Sequence, residues 1–258
     1  MPREGVRVMH VSTNVGRLYV EEAGAGPALL LWPDLFCDAR SLASQVEEFR
    51  RDHRVLAVDP PGHGLSGPPT ARLTLAACAR AVAEVLDAAG VLDAVVVGSG
   101  WGGMVGVMFA AAYPARARAL ALLNTPLHRQ PLPRRIELGA LVLLYRLLGP
   151  HPLLTRPILD AFMSPATRAS RPERARLVEE SFRIADRAGL AAAMGAVLVD
   201  RPSLLRTAAG LRLPVLALAG SEDDLFTPRQ AEAQALRIPG ARFEVVEGSA
   251  RLSALEAP

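Results

Sequence analysis

Short apolar runs alternate with longer stretches of helical periodicity over the first half of the chain. Residues 28–32, 55–59 and 95–97 are almost continuously apolar, and each run is followed by Pro or Gly. Such runs are typical of strands that are buried on both faces. Between them, residues 39–50 and 74–89 have the periodicity and boundary residues of helices. The pattern predicts strands and helices in regular alternation.

Further strand signals lie near the two ends of the chain. Residues 6–11 and 18–22 flank a turn and predict an antiparallel edge. Residues 119–123, 213–219 and 243–246 predict three more strands. The complete pattern predicts an α/β protein with a mostly parallel sheet and helices on both faces.

Strand signals are absent between residues 125 and 208, where Pro and Gly divide the chain into helical stretches. They lie near residues 134–148, 152–162, 172–186 and 190–198. We expect residues 126–208 to form a helical cap inserted into a core of residues 1–125 and 209–258. Open α/β sheets bind ligands at the carboxyl ends of their strands, so a cap there would roof a pocket.

Composition narrows the classes of function. The chain has 258 residues, half of them apolar, which suffices for one domain with an insertion. The formal net charge is only +3, and the basic residues are scattered among acidic ones, so nucleic acid is not expected as a partner. Cys37 and Cys78 cannot form a disulfide framework. The N-terminal residues 1–10 are charged and contain no apolar stretch typical of a signal peptide. The apolar residues 136–148 are too few to span a bilayer. We therefore expect a cytoplasmic protein.

A glycine-rich turn follows the apolar run of residues 95–97. In a nucleophile elbow, a sharp turn between a strand and a helix exposes the nucleophile beside a backbone N–H that stabilises an oxyanion. The glycines at 98, 102 and 103 allow one register only, in which Gly100 occupies the nucleophile position. Ser99 falls one position early and is expected to point into the fold.

Five segments, in this order, carry a resemblance to a known family. They are VDPPGHGLS at 58–66, GSGWGG at 98–103, LNT at 123–125, GSEDDLFTP at 220–228 and VEGSARL at 246–252. The set resembles the α/β-hydrolase superfamily, in particular its small esterase and 3-oxoadipate enol-lactonase-like branch. The resemblance implies an α/β-hydrolase fold with a helical cap.

The resemblance also implies where a Ser-His-Asp triad would lie. Gly100 stands at the nucleophile position, and Arg251 stands where the family has its histidine. A guanidinium group cannot accept a proton at neutral pH, so Arg251 cannot replace the general base. Asp223 matches the acid, with Asp224 as the alternative. We expect Arg251 to lie within salt-bridge distance of one of these carboxylates.

The other pocket residues follow from the same alignment. The oxyanion-hole loop reads Trp32-Pro33-Asp34, and Pro33 has no N–H, so the donors should be the N–H of Asp34 or Leu35 and that of Trp101. Trp32 and Trp101 are candidates for the pocket floor or for plain packing. His128 lies at the cap entrance and is a candidate for ligand contact. No metal-ligand spacing or cofactor motif is present, so no cofactor is expected.

Loss of the nucleophile or the base costs a triad enzyme about 10⁶ in rate. The exchanges at positions 100 and 251 therefore favour a non-hydrolytic enzyme, a lyase, cyclase or isomerase that uses Asp223, Asp34 or His128. A ligand-binding or scaffold pseudoenzyme without chemistry is the alternative, and a weak hydrolase is third. In each case the expected ligand is a small apolar, ester-like or lactone-like molecule.

The chain stops at residues 255–258, where the family continues into a further helix. Without that helix, residues 243–246 and 213–218 should form an exposed apolar strip. We expect this edge to be covered by self-association or by a partner.

Overall fold

A computed structural model describes residues 5–258, and the strands in this part of the chain form one sheet of eight. In spatial order they run β1-β2-β4-β3-β5-β6-β7-β8. β1 and β2 pair antiparallel at one edge, β2 is antiparallel to β4, and the remaining neighbours are parallel. The strands are β1 Val6–Thr13, β2 Gly16–Ala23, β3 Ala28–Trp32, β4 Arg54–Val58, β5 Ala94–Ser99, β6 Ala117–Leu123, β7 Val215–Gly220 and β8 Arg242–Val246. The mostly parallel α/β sheet predicted from the sequence is confirmed.

Helices follow most of the parallel strands and are bounded by the residues that the sequence signals indicated. The side chain of Thr74 caps the second helix by accepting the N–H of Ala77, and Gly90 ends that region with a left-handed φ of +65°. The helices are α1 Ala43–Phe49, α2 Leu75–Ala88, α3 Trp101–Ala112, α4 Leu132–Leu148, α5 Pro152–Phe162, α6 Pro165–Ser170, α7 Pro172–Ile184, α8 Arg187–Met194, α9 Leu205–Ala209, α10 Pro228–Ala235 and α11 Ser253–Glu256. A 3₁₀ turn at Ala39–Leu42 precedes α1, and a π-helical turn at Gly195–Val199 follows α8.

The core lies on both faces of the sheet, because the central strands are buried on both sides. All five residues of β3 are buried, and β4 is buried from Val55 to Val58. This agrees with the continuous apolar runs. β3 and β5 are parallel neighbours in which Trp32 pairs with Gly98. The loop after β3 and the turn after β5 therefore leave the sheet side by side, and this register brings Asp34 to Gly100.

Helices α4 to α9 occupy the chain between β6 and β7. Proline in the first turn starts α5, α6 and α7, which explains why this region is a series of separate helices. These are the residues that we expect to form the cap, and their status as a separate unit stays a prediction. No helix in residues 5–258 has the length and apolar content needed to cross a bilayer.

The C-terminal residues differ from the expectation that the chain ends before another helix. A single turn, α11, is present, and its Ser253, Ala254 and Glu256 are buried. The Glu256 carboxylate accepts the N–H of Ser164 and the N–H of Ala250, which ties the end of the chain to the start of α6. A helical turn is thus present where the sequence interpretation expected none.

The predicted apolar strip beside β8 is narrower than expected. Val245 is 40% exposed. Phe243, Leu216 and Leu218 are already half-buried, and Val215 is fully buried. Alternation along β7 and β8 turns part of each strand towards neighbouring helices. Self-association through this edge stays a prediction.

Candidate active site

The turn between β5 and α3 has the geometry of a nucleophile elbow. Gly100 adopts φ +46° and ψ −100°, a conformation that costs other residues about 1–3 kcal/mol. A Cβ on Gly98 would collide with the backbone of Gly102 and Gly103, so the glycine motif also reflects close packing of strand and helix. Ser99 is buried, as predicted from its place one residue before the turn. The strand-turn-helix prediction is confirmed.

The Asp34 carboxylate occupies the place where an oxyanion would bind. Its Oδ1 accepts the N–H of Trp101 at 2.8 Å and the N–H of Leu35 at 2.7 Å. These are two of the three N–H groups expected as oxyanion donors, and here both are used by an internal carboxylate. The sequence interpretation considered the N–H of Asp34 and an acid-base role for its side chain, but not this position of the carboxylate.

Asp34 and a side chain at position 100 compete for the same space. A Cβ built on Gly100 would lie far inside van der Waals contact with the carboxyl carbon and both carboxylate oxygens of Asp34. The glycine at the nucleophile position is therefore a steric requirement of the Asp34 carboxylate. A polar side chain still stands at the elbow, but it comes from the loop after β3.

Arg251 lies between two carboxylates. Its Nε is 3.0 Å from Asp34 Oδ2, and its Nη1 is 3.9 Å from Asp223 Oδ2. The guanidinium also lies over the Phe162 ring, 5.2 Å from the centroid. The expected approach of Arg251 to the acid is confirmed, but Asp34 is its nearer partner. Asp224 is exposed, so the structure brings Asp223 and not the alternative into the site.

Asp223 is held by groups that the sequence interpretation did not identify. Its Oδ2 accepts from Asn124 Nδ2 at 2.9 Å, and its Oδ1 accepts the N–H of Leu225 and of Phe226. Asn124 in turn accepts the hydroxyl of Ser253. Burial raises the pKa of Asp223, and Arg251, Asn124 and the two N–H groups oppose that shift. The positive φ of Asn124, +47°, marks it as a specialised position, but only the fold shows its partners.

A pocket of about 540 Å³ lies above these residues and below the helices between β6 and β7. Most of its wall is apolar. Its polar lining includes Asp34, Arg251, His128, Arg201 and Gln230. A few convergent polar groups in an apolar cavity are typical of a small-molecule site.

Trp32 and Trp101 do not line this pocket, in contrast to the suggestion that they form its floor. Both are fully buried and pack edge to face, with centroids 5.8 Å apart. The plain-packing alternative describes them correctly, because Asp34 and Leu35 of the loop after β3 line the cavity and the two tryptophans do not.

His128 does line the pocket, as expected for a residue at the start of the inserted helices. Its Nδ1 is 2.8 Å from Gln234 Nε2. Burial and the nearby charge of Arg201 lower the pKa of His128, which favours the neutral imidazole at pH 7. Within residues 5–258, no three His, Cys, Asp or Glu side chains are grouped as metal ligands.

Arg201 is a pocket residue that the sequence interpretation missed. It is 3% exposed, and its Nε donates to the carbonyl oxygen of His128 at 3.2 Å. Burial and the charge of Arg251 lower its pKa to about 10, so it remains a cation at neutral pH. It follows the π-helical turn that ends at Val199, and no local sequence signal marks it as a pocket residue.

His63 gives the fold a measurable acid sensitivity. It is buried with Nδ1 3.0 Å from the carbonyl oxygen of Pro61, and burial lowers its pKa from 6.5 to about 4. Because the unfolded chain binds this proton first, stability is complete above pH 6.5 and is lost as the pH falls towards 4. Between pH 7.5 and 4.5 we expect the wild type to lose about 2–3 kcal/mol more than a His63→Gln variant.

Urea unfolding of both proteins at the two pH values measures this difference. Burial raises the pKa of Asp59 to about 7, so this residue makes the fold more stable as the pH falls. Because Asp59 is present in both proteins, its contribution cancels in the comparison. The exposed His10→Gln exchange is the matched control. Parallel pH profiles for the wild type and His63→Gln would refute the assignment.

Comparison with known proteins gives the class. Residues 27–149 match a family described as alpha/beta hydrolase fold. Together with a relative that aligns over nine tenths of the chain, this match shows that the chain belongs to the α/β-hydrolase superfamily. That relative is a pimeloyl-[acyl-carrier protein] methyl ester esterase from Xanthomonas campestris pv. campestris (strain B100). It is 30% identical over 237 residues, and the aligned segment covers 90% of this chain and 90% of the esterase. Another curated hydrolase aligns at 39% identity over 107 residues, and this covers 40% of its own length.

Solved structures agree. An esterase from Thermogutta terrifontis superposes with a TM-score of 0.90 at 25% identity and covers 98% of this chain and 94% of its own. The enol-lactonase from Burkholderia xenovorans LB400 has a TM-score of 0.87 at 24% identity, with 96% and 94% covered, and supports the fold.

These relatives correct the functional expectation. The prediction of a non-hydrolytic lyase, cyclase or isomerase is wrong, and so is the placing of an inactive binding protein ahead of a hydrolase. The relatives are named as hydrolases, and one is an esterase that aligns with almost the whole chain. That expectation rested on the residues at positions 100 and 251 alone, whereas the structure also places the Asp34 carboxylate beside position 100.

Proposed function

We propose that this protein hydrolyses small esters or lactones, with the Asp34 carboxylate as general base in place of the serine and histidine. The observation that carries the proposal is the position of this carboxylate at the elbow, in a pocket of about 540 Å³. The ester and lactone hydrolases among its relatives support the substrate class.

The two carboxylate oxygens of Asp34 have different surroundings, and this suits general-base catalysis. Oδ1 is held by two backbone N–H groups, whereas Oδ2 has no aligned hydrogen bond among the described residues and faces Arg251. In the proposed reaction, a water donates a proton to Oδ2 as its oxygen attacks the substrate carbonyl. The tetrahedral intermediate then collapses, and the same proton moves from Asp34 to the leaving alkoxide.

Arg251 takes the role that the backbone N–H groups have in a triad enzyme. Those N–H groups are engaged by Asp34 Oδ1, so the developing oxyanion needs another donor. The guanidinium carries five N–H donors, and Phe162 and Asp223 hold it beside Asp34. Asn124 and Ser253 position Arg251 indirectly through Asp223.

Turnover by this route is expected to be slow. General-base assistance contributes about 10²–10⁴-fold, which is less than the roughly 10⁶ lost with a triad nucleophile or base. The first test is therefore a panel of nitrophenyl esters, methyl esters and five- and six-membered lactones at high enzyme concentration. Hydrolysis above the buffer rate supports the proposal, and its absence across the panel contradicts it.

Isotope labelling tests the mechanism separately. A single turnover in H₂¹⁸O should place the label in the carboxylic product and leave the peptide that contains Asp34 unlabelled. Label in Asp34 would show that its carboxylate attacks the substrate as a nucleophile, and would overturn the general-base assignment.

A further inference from the structure

Arg201 is a buried cation without a carboxylate partner. Its side chain is 3% exposed, its Nη2 has no hydrogen-bond partner within residues 5–258, and no Asp or Glu of that part of the chain lies within 4 Å of its guanidinium. A half-buried arginine that serves the fold has such a partner: Arg54 donates to Glu22 at 2.6 Å and to the carbonyl oxygen of Ala89. Since a buried charge is costly unless it is paired, the missing partner of Arg201 is the feature that needs explanation.

Among the described arginines that line the pocket, Arg201 alone has no carboxylate in salt-bridge contact. Arg251 is matched by Asp34 and Asp223. Arg134, at the outer part of the pocket, is half-exposed and paired with Glu137. Counted over Asp34, Asp223, Arg251 and Arg201 the site is formally neutral, but Arg201, a residue of the pocket lining, has neither carboxylate in salt-bridge contact and keeps unused hydrogen-bonding capacity.

We propose that Arg201 binds a carboxylate carried by the ligand, so that the preferred ligands are monoanionic esters or lactones, such as half-esters of dicarboxylic acids. The planar guanidinium matches a carboxylate in geometry, and its single charge matches that of a monoanion. A phosphate monoester is also an oxyanion, but it approaches two negative charges at neutral pH, and one guanidinium balances only one of them. The statement that the ligand is an ester or a lactone rests on the proposed function; the anion subsite itself does not.

Equilibrium binding of two simple probes tests the subsite without any turnover. Hexanoate and hexanamide have the same chain and differ in charge, and titration calorimetry gives a Kd for each. We expect the wild type to bind hexanoate about 10- to 100-fold more tightly than hexanamide, the range for a hydrogen bond to a charged group. Butyl phosphate is the third probe, and it should bind more weakly than hexanoate.

Variants assign the preference to one side chain. Arg201→Met keeps an apolar stem of similar length and should abolish the preference for hexanoate. Arg201→Lys keeps the charge without the planar group and should retain part of it. The matched control is Arg206→Met, which removes an exposed arginine of α9. It should bind both probes as the wild type does.

The melting temperature separates a ligand site from a structural role. Because Arg201 has no carboxylate partner, Arg201→Met should melt at or above the wild-type temperature in the absence of ligand. Equal affinity of the wild type for hexanoate and hexanamide would overturn the proposal. So would a preference that survives in Arg201→Met, or butyl phosphate binding more tightly than hexanoate.

Kinetics distinguish this inference from the proposed function. If monomethyl adipate and dimethyl adipate are both hydrolysed, the half-ester should have a kcat/KM at least about tenfold higher, and Arg201→Met should remove the difference. Hexanoate binding without hydrolysis of either ester would leave the subsite in place and refute the hydrolase. Hydrolysis of both esters at equal kcat/KM would support the hydrolase and refute the carboxylate subsite at Arg201.

Discussion

Replacing Asp34 by asparagine is expected to lower the kcat for ester or lactone hydrolysis by about 10²–10⁴-fold, the contribution of a general base. The amide has nearly the same shape, and its oxygen can still accept the N–H groups of Trp101 and Leu35. It cannot accept a proton from water. The loss should therefore fall on kcat, with a smaller change in KM.

The control for this variant is Asp224→Asn, which changes an exposed carboxylate next to Asp223. Its kcat should equal that of the wild type. Thermal melting of Asp34→Asn shows whether the fold is intact, since Arg251 keeps Asp223 as a second partner. Wild-type turnover by a folded Asp34→Asn protein would remove Asp34 from the mechanism.

A serine at position 100 is expected to destabilise the protein rather than to create a triad. The φ of +46° costs a side chain about 1–3 kcal/mol, and the Cβ would overlap the Asp34 carboxyl group. Overpacking of this kind adds about 1–3 kcal/mol, so Gly100→Ser should lower the free energy of unfolding by roughly 2–6 kcal/mol. Urea unfolding measures the loss, and Gly139→Ser, at a helix position with open space around it, is the control.

A double variant tests whether the overlap is the cause. Combining Gly100→Ser with Asp34→Gly should cost clearly less than the sum of the single changes, because the second change removes the atoms that collide. Additive losses would show that backbone conformation alone is responsible. Gly100→Ser with Arg251→His should remain without triad activity as long as Asp34 fills the space beside position 100.

The sequence predicted those parts of the fold whose signals are local. Continuous apolar runs marked the buried strands, and three glycines with little freedom of register marked the elbow at Gly100. Asp223, with Asp224 as its alternative, was proposed through the resemblance of the segment at 220–228 to the α/β-hydrolase superfamily. Each of these depends on neighbouring residues and on backbone geometry that few residue types satisfy.

The features that escaped prediction depend on contacts between distant parts of the chain. The position of the Asp34 carboxylate follows from the pairing of β3 with β5, and a strand pattern does not specify where a loop side chain turns. The sequence around Arg201 does not distinguish it from an exposed arginine that follows a helix. Its burial in the pocket is visible only in the structure. The same limit explains why the tryptophans were placed too close to the cavity.

The mutual exclusion of Asp34 and a side chain at position 100 also restricts evolutionary history. In a lineage that began with serine at the elbow, an aspartate at position 34 in the conformation seen here would have been incompatible with that serine. Glycine at position 100 must then have come first, or the two exchanges must have occurred together. Reversion is restricted in the same way, because serine can return only after the aspartate has left.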